Sequence, residues 1–251
     1  MILQKSKKAE LIVALDVATL AEIRDVVDQL DDAVDIYKIG SQAFTACGPA
    51  AVRFVMARGK RVFLDLKFHD IPNTVASAVR SAVGLGTTLV QASHPENAQQ
   101  PGTLLMYTVH TSGGDEMMKA AAETAAQCAV EQNVPAPLTV GVTVLTSQAK
   151  SNNIADLVLE RAKLAKKAGL NGIVASCHEA ALIRKMLGPE FVIVTPGIRP
   201  AGADVGDQKR VATPAAAVNN GSDYLVVGRP IIQAPDPRKA ARDILQEMND
   251  A

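Results

Sequence analysis

The 251-residue chain has no tryptophan, only five phenylalanines and three tyrosines, so aromatic residues make up 3% of it. A core of this size must then be packed from Ala, Val, Ile and Leu, which the 48% hydrophobic content supplies. Cysteine is equally scarce. Cys47, Cys128 and Cys177 are odd in number, far apart and without metal-site spacing, which argues against a disulfide framework and predicts reduced thiols. His69, His94, His110 and His178 form no HExxH or other close pair, so no metal site is expected. There is no surplus of charge: Lys+Arg and Asp+Glu stand at 26 each, so no overall field favours nucleic acid or an anionic membrane, and any phosphate must be recognised locally. Long hydrophobic runs are missing too. The basic start MILQKSKKAE leads into five apolar residues before Asp16, too few for a signal-peptide core or a membrane span. The expectation is a soluble, cytoplasmic protein with neither nucleic acid nor membrane as partner.

What the chain does have is rhythm. Eight short apolar runs read as strands: Leu11 to Leu15, Ile36 to Ile39, Val62 to Leu66, Leu104 to Val109, Leu138 to Leu145, Gly172 to Ala175, Phe191 to Val194 and Tyr224 to Val227. Their near-continuous hydrophobicity suits parallel strands covered on both faces. Helical patterns alternate with them, as in Leu20, Ile23, Val27 and Leu30, or Leu182, Ile183, Met186 and Leu187. Gly59, Gly84, Gly169, Gly188 and Gly221 read as left-handed helix stops, and Thr213-Pro214 and Asp236-Pro237 as N-caps followed by a first-turn proline. Repeated βα units of this number and length predict one TIM-type (β/α)₈ barrel domain over residues 1–251. Two connections are long: Thr87 to Thr103, predicted on the face opposite the site, and the polar Gly197 to Arg210, predicted as a ligand-ordered loop on the site face.

In such a barrel the C-terminal strand ends converge on the active site, and here they carry an ordered polar set. Asp16 ends the first run; Lys38 lies on the second; Asp65 and Lys67 lie on the third, with Asp70 just beyond; Thr146 ends the fifth. Arg199 and Gln208 follow the seventh, and Gly228-Arg229 ends the eighth. Asp65 and Lys67, two apart on a strand, project to one face, and Lys38 from the neighbouring strand completes an alternating Lys-Asp-Lys-Asp array with Asp70. A buried structural ion pair is the competing reading of these charges. Gly228-Arg229 offers close backbone approach and a bidentate fork, where barrels usually hold phosphate. His69 and His110 read as orienting or packing residues, Cys177-His178 as structural, and Met117-Met118 with the alanines after it as an amphipathic helix.

DLKFHDIPNT, with LDV before it, YKIG, VHTSGG, VTVLTS, TPGIRP with GDQ, and GRP after it, resembles in order the bacterial orotidine 5′-phosphate decarboxylases from about Leu11 to Pro230. The resemblance implies a cofactor-free, metal-free decarboxylation of orotidine 5′-phosphate to uridine 5′-phosphate. It implies that Asp16 and Lys38 bind the ribose hydroxyls, that Asp65 sits beside the substrate carboxylate and that Lys67 donates the replacing proton. Thr146 would hold the pyrimidine, Arg199 and Gln208 would belong to the closing loop, and Gly228 with Arg229 would bind the 5′-phosphate. It further implies a homodimer in which Asp70 and Thr74 reach the partner's pocket. The chain departs from the bacterial pattern in the long Thr87 to Thr103 segment and a shorter stretch between Ser147 and Gly169. Three other readings compete: a related Mg²⁺-dependent phosphosugar enzyme, which FHDIPNT and TPGIRP with GDQ oppose; an aldolase using Lys67 as a Schiff base, opposed by the acids around it; and a noncatalytic nucleotide-phosphate sensor.

Overall fold

A computed structural model describes residues 8–86, 102–145, 153–200 and 210–251. Its strands are β1 (Glu10–Ala14), β2 (Ile36–Gly40), β3 (Arg61–Phe68), β4 (Leu104–His110), β5 (Leu138–Val142), β6 (Gly172–Val174), β7 (Val192–Thr195) and β8 (Tyr224–Val227). All neighbours are parallel, and β1 pairs with both β2 and β8, which closes the sheet into a barrel. The helices are α1 (Leu20–Leu30), α2 (Ser41–Cys47), α3 (Pro49–Ala57), α4 (Pro72–Val83), α5 (Asp115–Gln132), α6 (Ile154–Lys167), α7 (Cys177–Leu187), α8 (Pro214–Asn219), α9 (Arg229–Ile232) and α10 (Pro237–Asn249).

Strand parity divides the core in two. Ile12, Ile36, Phe63, Met106, Val140 and Val194 point inward and fill the barrel, while the residues alternating with them, such as Val13, Tyr37 and Leu64, pack under the helices. Both faces of every strand are therefore covered, which is why the runs read as unbroken apolar sequence. Inward parity also carries Glu10 and Arg61 to the N-terminal end, where they pair, with Arg61 bonded to Asp35 as well. The Tyr224 hydroxyl in the same layer is pushed up to about 12, by burial first and by Glu10 next. Carried the other way, the same parity brings Ala14 to Asp16, Ile36 to Lys38, Phe63 to Asp65, Met106 to Thr108 and Val226 to Gly228. An apolar plug is thus capped by polar side chains at the C-terminal mouth.

Local signals set several helix ends. Thr19 caps α1 by accepting from the Glu22 N–H at 3.2 Å while the Glu22 carboxylate accepts from the Thr19 N–H at 2.9 Å. Thr213 and Asp236 cap α8 and α10 as expected, each followed by its proline. Gly59, Gly169, Gly188 and Gly221 have positive φ, but Gly84 does not: at φ −66° it continues the right-handed turn that ends α4. Two other expectations change. β5 stops at Val142 instead of continuing to Leu145, because its pairing with β6 ends at Val142↔Val174. In α7 the buried stripe is Ala180, Ile183 and Leu187, and Leu182 and Met186 of the predicted face are exposed. The Thr87 to Thr103 connection lies outside the described residues except at its last two positions, as does the Gly197 to Arg210 connection over 201–209.

Candidate active site

At the C-terminal mouth a cavity of about 210 Å³ is lined by Asp16, Lys38, Asp65, Arg199, Gly228 and Arg229, with apolar floor from Ala14 and Val226. A continuous chain of charges runs through Asp16, Lys38 and Asp65 of its wall and on to Lys67, which is bonded to Asp65 and does not itself line the cavity. The Lys38 ammonium lies 2.9 Å from Asp16 Oδ1 and 3.9 Å from Asp65 Oδ2, and the Lys67 ammonium lies 2.9 Å from both Asp65 oxygens. The Lys38 and Asp65 side chains are only 11% and 13% exposed, so their charges are tolerated only because they are paired. Gly40, next on the inward face of β2, leaves room for this arrangement: a Cβ there would come within 2.8 Å of Lys38 Nζ.

The order in one chain is Asp16, Lys38, Asp65, Lys67. Asp70 does not join it, contrary to the array expected from the sequence. It is exposed in the turn before α4 and accepts from the Ile71 N–H at 2.6 Å. Thr74 is exposed on the first turn of α4, and Ile71 between them shows 66% of its surface, a large apolar exposure for this fold. Asp70, Ile71 and Thr74 are thus exposed together a few residues from Lys67, and none of them lines the chain's own cavity.

Arg199, which also lines the cavity, is buried, its guanidinium donating to the Ile198 carbonyl at 2.8 Å. Its N–H donates to the Ala212 carbonyl at 2.9 Å, and Ala212 N–H donates back to Gly197, so the two described ends of the β7–α8 connection are zipped together. Arg210 is tied to Glu179, a buried acid on the first turn of α7. Gly228, the residue before α9, lies beside Asp16 and Ala14, and Arg229 is the first residue of that helix. Thr146 and Gln208 fall outside the described residues. The two histidines near Lys67 meet with tilted rings, 5.4 Å between centroids, and His110 is held below the usual histidine value, by burial first, then by His69 and Lys67. No group of three or more Cys, His, Asp or Glu among the described residues is arranged to hold a metal ion.

The sequence reading missed Thr108, the central member of the hydrogen bonds around Asp65 and Lys67. Its signal was present: in LLMYTVH it is a hydroxyl on the inward parity of β4, one step from the mouth. Glu179 was missed as well, since nothing local marks a first-turn acid as buried.

Residues 9–244 match the family model described as orotidine 5′-phosphate decarboxylase / HUMPS family. Among curated proteins, an orotidine 5′-phosphate decarboxylase of Moorella thermoacetica is 49% identical over 96% of this chain and 92% of its own length. One of Vibrio atlanticus is 45% identical over 94% and 96%. Among solved structures, orotidine 5′-phosphate decarboxylase from Lactobacillus acidophilus superposes with a TM-score of 0.77 at 32% identity, covering 96% of this chain and 99% of that one.

Proposed function

The chain belongs to the orotidine 5′-phosphate decarboxylase / HUMPS family, and from that membership and the geometry of its mouth we propose that it converts orotidine 5′-phosphate to uridine 5′-phosphate and CO₂ without metal or cofactor, as a cytoplasmic homodimer. The observation that carries this reading is the Asp16, Lys38, Asp65, Lys67 chain of charges, beside a cavity that Arg199 and Arg229 also line.

The chemistry dictates what the site must supply. When the bond from C6 to the carboxylate breaks, its electron pair stays on C6 in an in-plane orbital that the ring π-system cannot delocalise. Stabilisation must be electrostatic and already in place. Lys67, held at Asp65, offers a fixed positive charge to that pair and then a proton to C6; the amine left behind recovers its proton from solvent. Asp65 lies beside the departing carboxylate and is better tolerated as CO₂ leaves uncharged. Asp16 and Lys38 take the ribose hydroxyls. Gly228 and Arg229 take the 5′-phosphate, with Arg199 closing over it, so binding energy remote from C6 is available to exclude water. By their resemblance, Thr146 holds the pyrimidine and Gln208 works with Arg199.

The exposure of Asp70, Ile71 and Thr74 supports a shared site, in which Asp70 and Thr74 of one subunit complete the ribose pocket of the other. The test is direct. The purified chain, assayed with orotidine 5′-phosphate in the presence of a chelator, is expected to form uridine 5′-phosphate and CO₂ in equal amounts. No turnover, or turnover that returns only with Mg²⁺, would overturn the reading in favour of a metal-dependent phosphosugar reaction.

A further inference from the structure

Lys67 sits in a backbone conformation that lysine rarely adopts, at φ +53°. The cause lies in the pairing of β3 with β4. Leu64 is opposite Tyr107 and Phe68 is opposite Val109, so Asp65, Leu66 and Lys67 of β3 face the single residue Thr108 of β4. Such a bulge re-aims side chains, and it also leaves the bulged strand's amide groups without their ladder partners. Thr108 fills that gap. Its buried hydroxyl accepts from the Lys67 N–H at 2.8 Å and donates to Asp65 Oδ1 at 3.0 Å.

We propose that Thr108 is a positioning residue for the decarboxylation, its one hydroxyl locking both the left-handed backbone of Lys67 and the side-chain angle of Asp65. This rests on the functional reading above. Both hydroxyl roles are used: the lone pair holds the backbone that aims the ammonium, and the proton holds the carboxylate that the ammonium faces. Threonine suits the task because its branched Cβ restricts χ1, so the hydroxyl direction is fixed by β4 itself. Thr108 is also anchored in register on its other side, opposite Val140 of β5. Thr108 does not itself line the cavity; it acts through Asp65, which does, and through Lys67.

Thr108→Val keeps the shape and removes both bonds; Thr108→Ser keeps the hydroxyl. For orotidine 5′-phosphate, kcat is expected to fall about 10- to 100-fold in Thr108→Val, the scale on which misplacement of a reacting group acts, with KM moving less than about threefold because ribose and phosphate are held elsewhere. Thr108→Ser is expected to stay within about threefold of the wild type in kcat. A wild-type kcat in Thr108→Val, or an equal loss in Thr108→Ser, would overturn the assignment. Hydrogen exchange at the Lys67 amide gives a readout independent of turnover: protection is expected in the wild type and Thr108→Ser and lost in Thr108→Val. If the wild type proved inactive on orotidine 5′-phosphate, the functional reading would fall and the exchange would decide the positioning role alone. Retained protection in Thr108→Val would then sink it.

Discussion

Lys67 and Asp65 show how far a residue-level pattern reaches. Their spacing of two placed both on the inward face of β3, and they do meet there, at 2.9 Å through both carboxylate oxygens. They meet, however, through a bulge and a positive φ, not through regular strand alternation. Nothing in DLK announces that, because the partner that stabilises the turn is Thr108, forty-one residues on. A second residue-scale consequence concerns His110. Burial and the neighbouring His69 and Lys67 depress its proton affinity in the folded chain below the ordinary value of 6.5. As pH falls through 6.5 the unfolded chain binds a proton that the fold resists, so stability must drop in that window and level off below the folded value. Thermal melting followed from pH 8 to 5 is expected to show this decline, and His110→Asn is expected to flatten it. An unchanged slope in the variant would mean that the decline has another source.

At the scale of elements, most of the molecule was legible because strands buried on two faces, first-turn prolines and capping side chains are local and redundant signals. All eight strands lie where their apolar runs stand, and Thr213 and Asp236 cap the helices they precede. The errors came where tertiary contact decides. Gly84 follows a helix that needs no left-handed stop; β5 ends when β6 runs out of partners; and the apolar stripe of α7 shifted because Ala180, Ile183 and Leu187 take the sheet-facing side while Leu182 and Met186 face water. That division is measurable. Phe63, inside the barrel and fully buried, is expected to lose about 3–5 kcal/mol of stability on change to Ala. Leu182→Ala is expected to change stability by less than about 1 kcal/mol. Denaturant titrations giving similar losses for the two would contradict the assignment of inner and outer faces.

At the scale of the whole molecule, one chain carries a charge array and a rim bearing Arg199 and Arg229 but holds Asp70 and Thr74 outside its own pocket. The spacing in DLKFHD, with Lys38 from the neighbouring strand, suggested a single array of four, and only the fold separates Asp70 from the rest. If Asp70 serves the neighbouring subunit, Lys67→Ala and Asp70→Asn chains, each nearly inactive alone, complement one another. With random exchange about half of the dimers are mixed and one of their two sites is intact, so roughly a quarter of wild-type activity should return. Absence of recovery after verified exchange would assign Asp70 to its own pocket and leave the reaction itself untouched. The central claim is narrower: Lys67 supplies the charge and the proton on which decarboxylation depends. The most direct measurement is kcat for orotidine 5′-phosphate in Lys67→Ala, made alongside its circular dichroism and its affinity for uridine 5′-phosphate. A loss of at least about a thousandfold is expected, since both electrostatic stabilisation and proton donation are removed, in a folded protein that still binds the product. Turnover near the wild-type rate in that variant would contradict the mechanism outright.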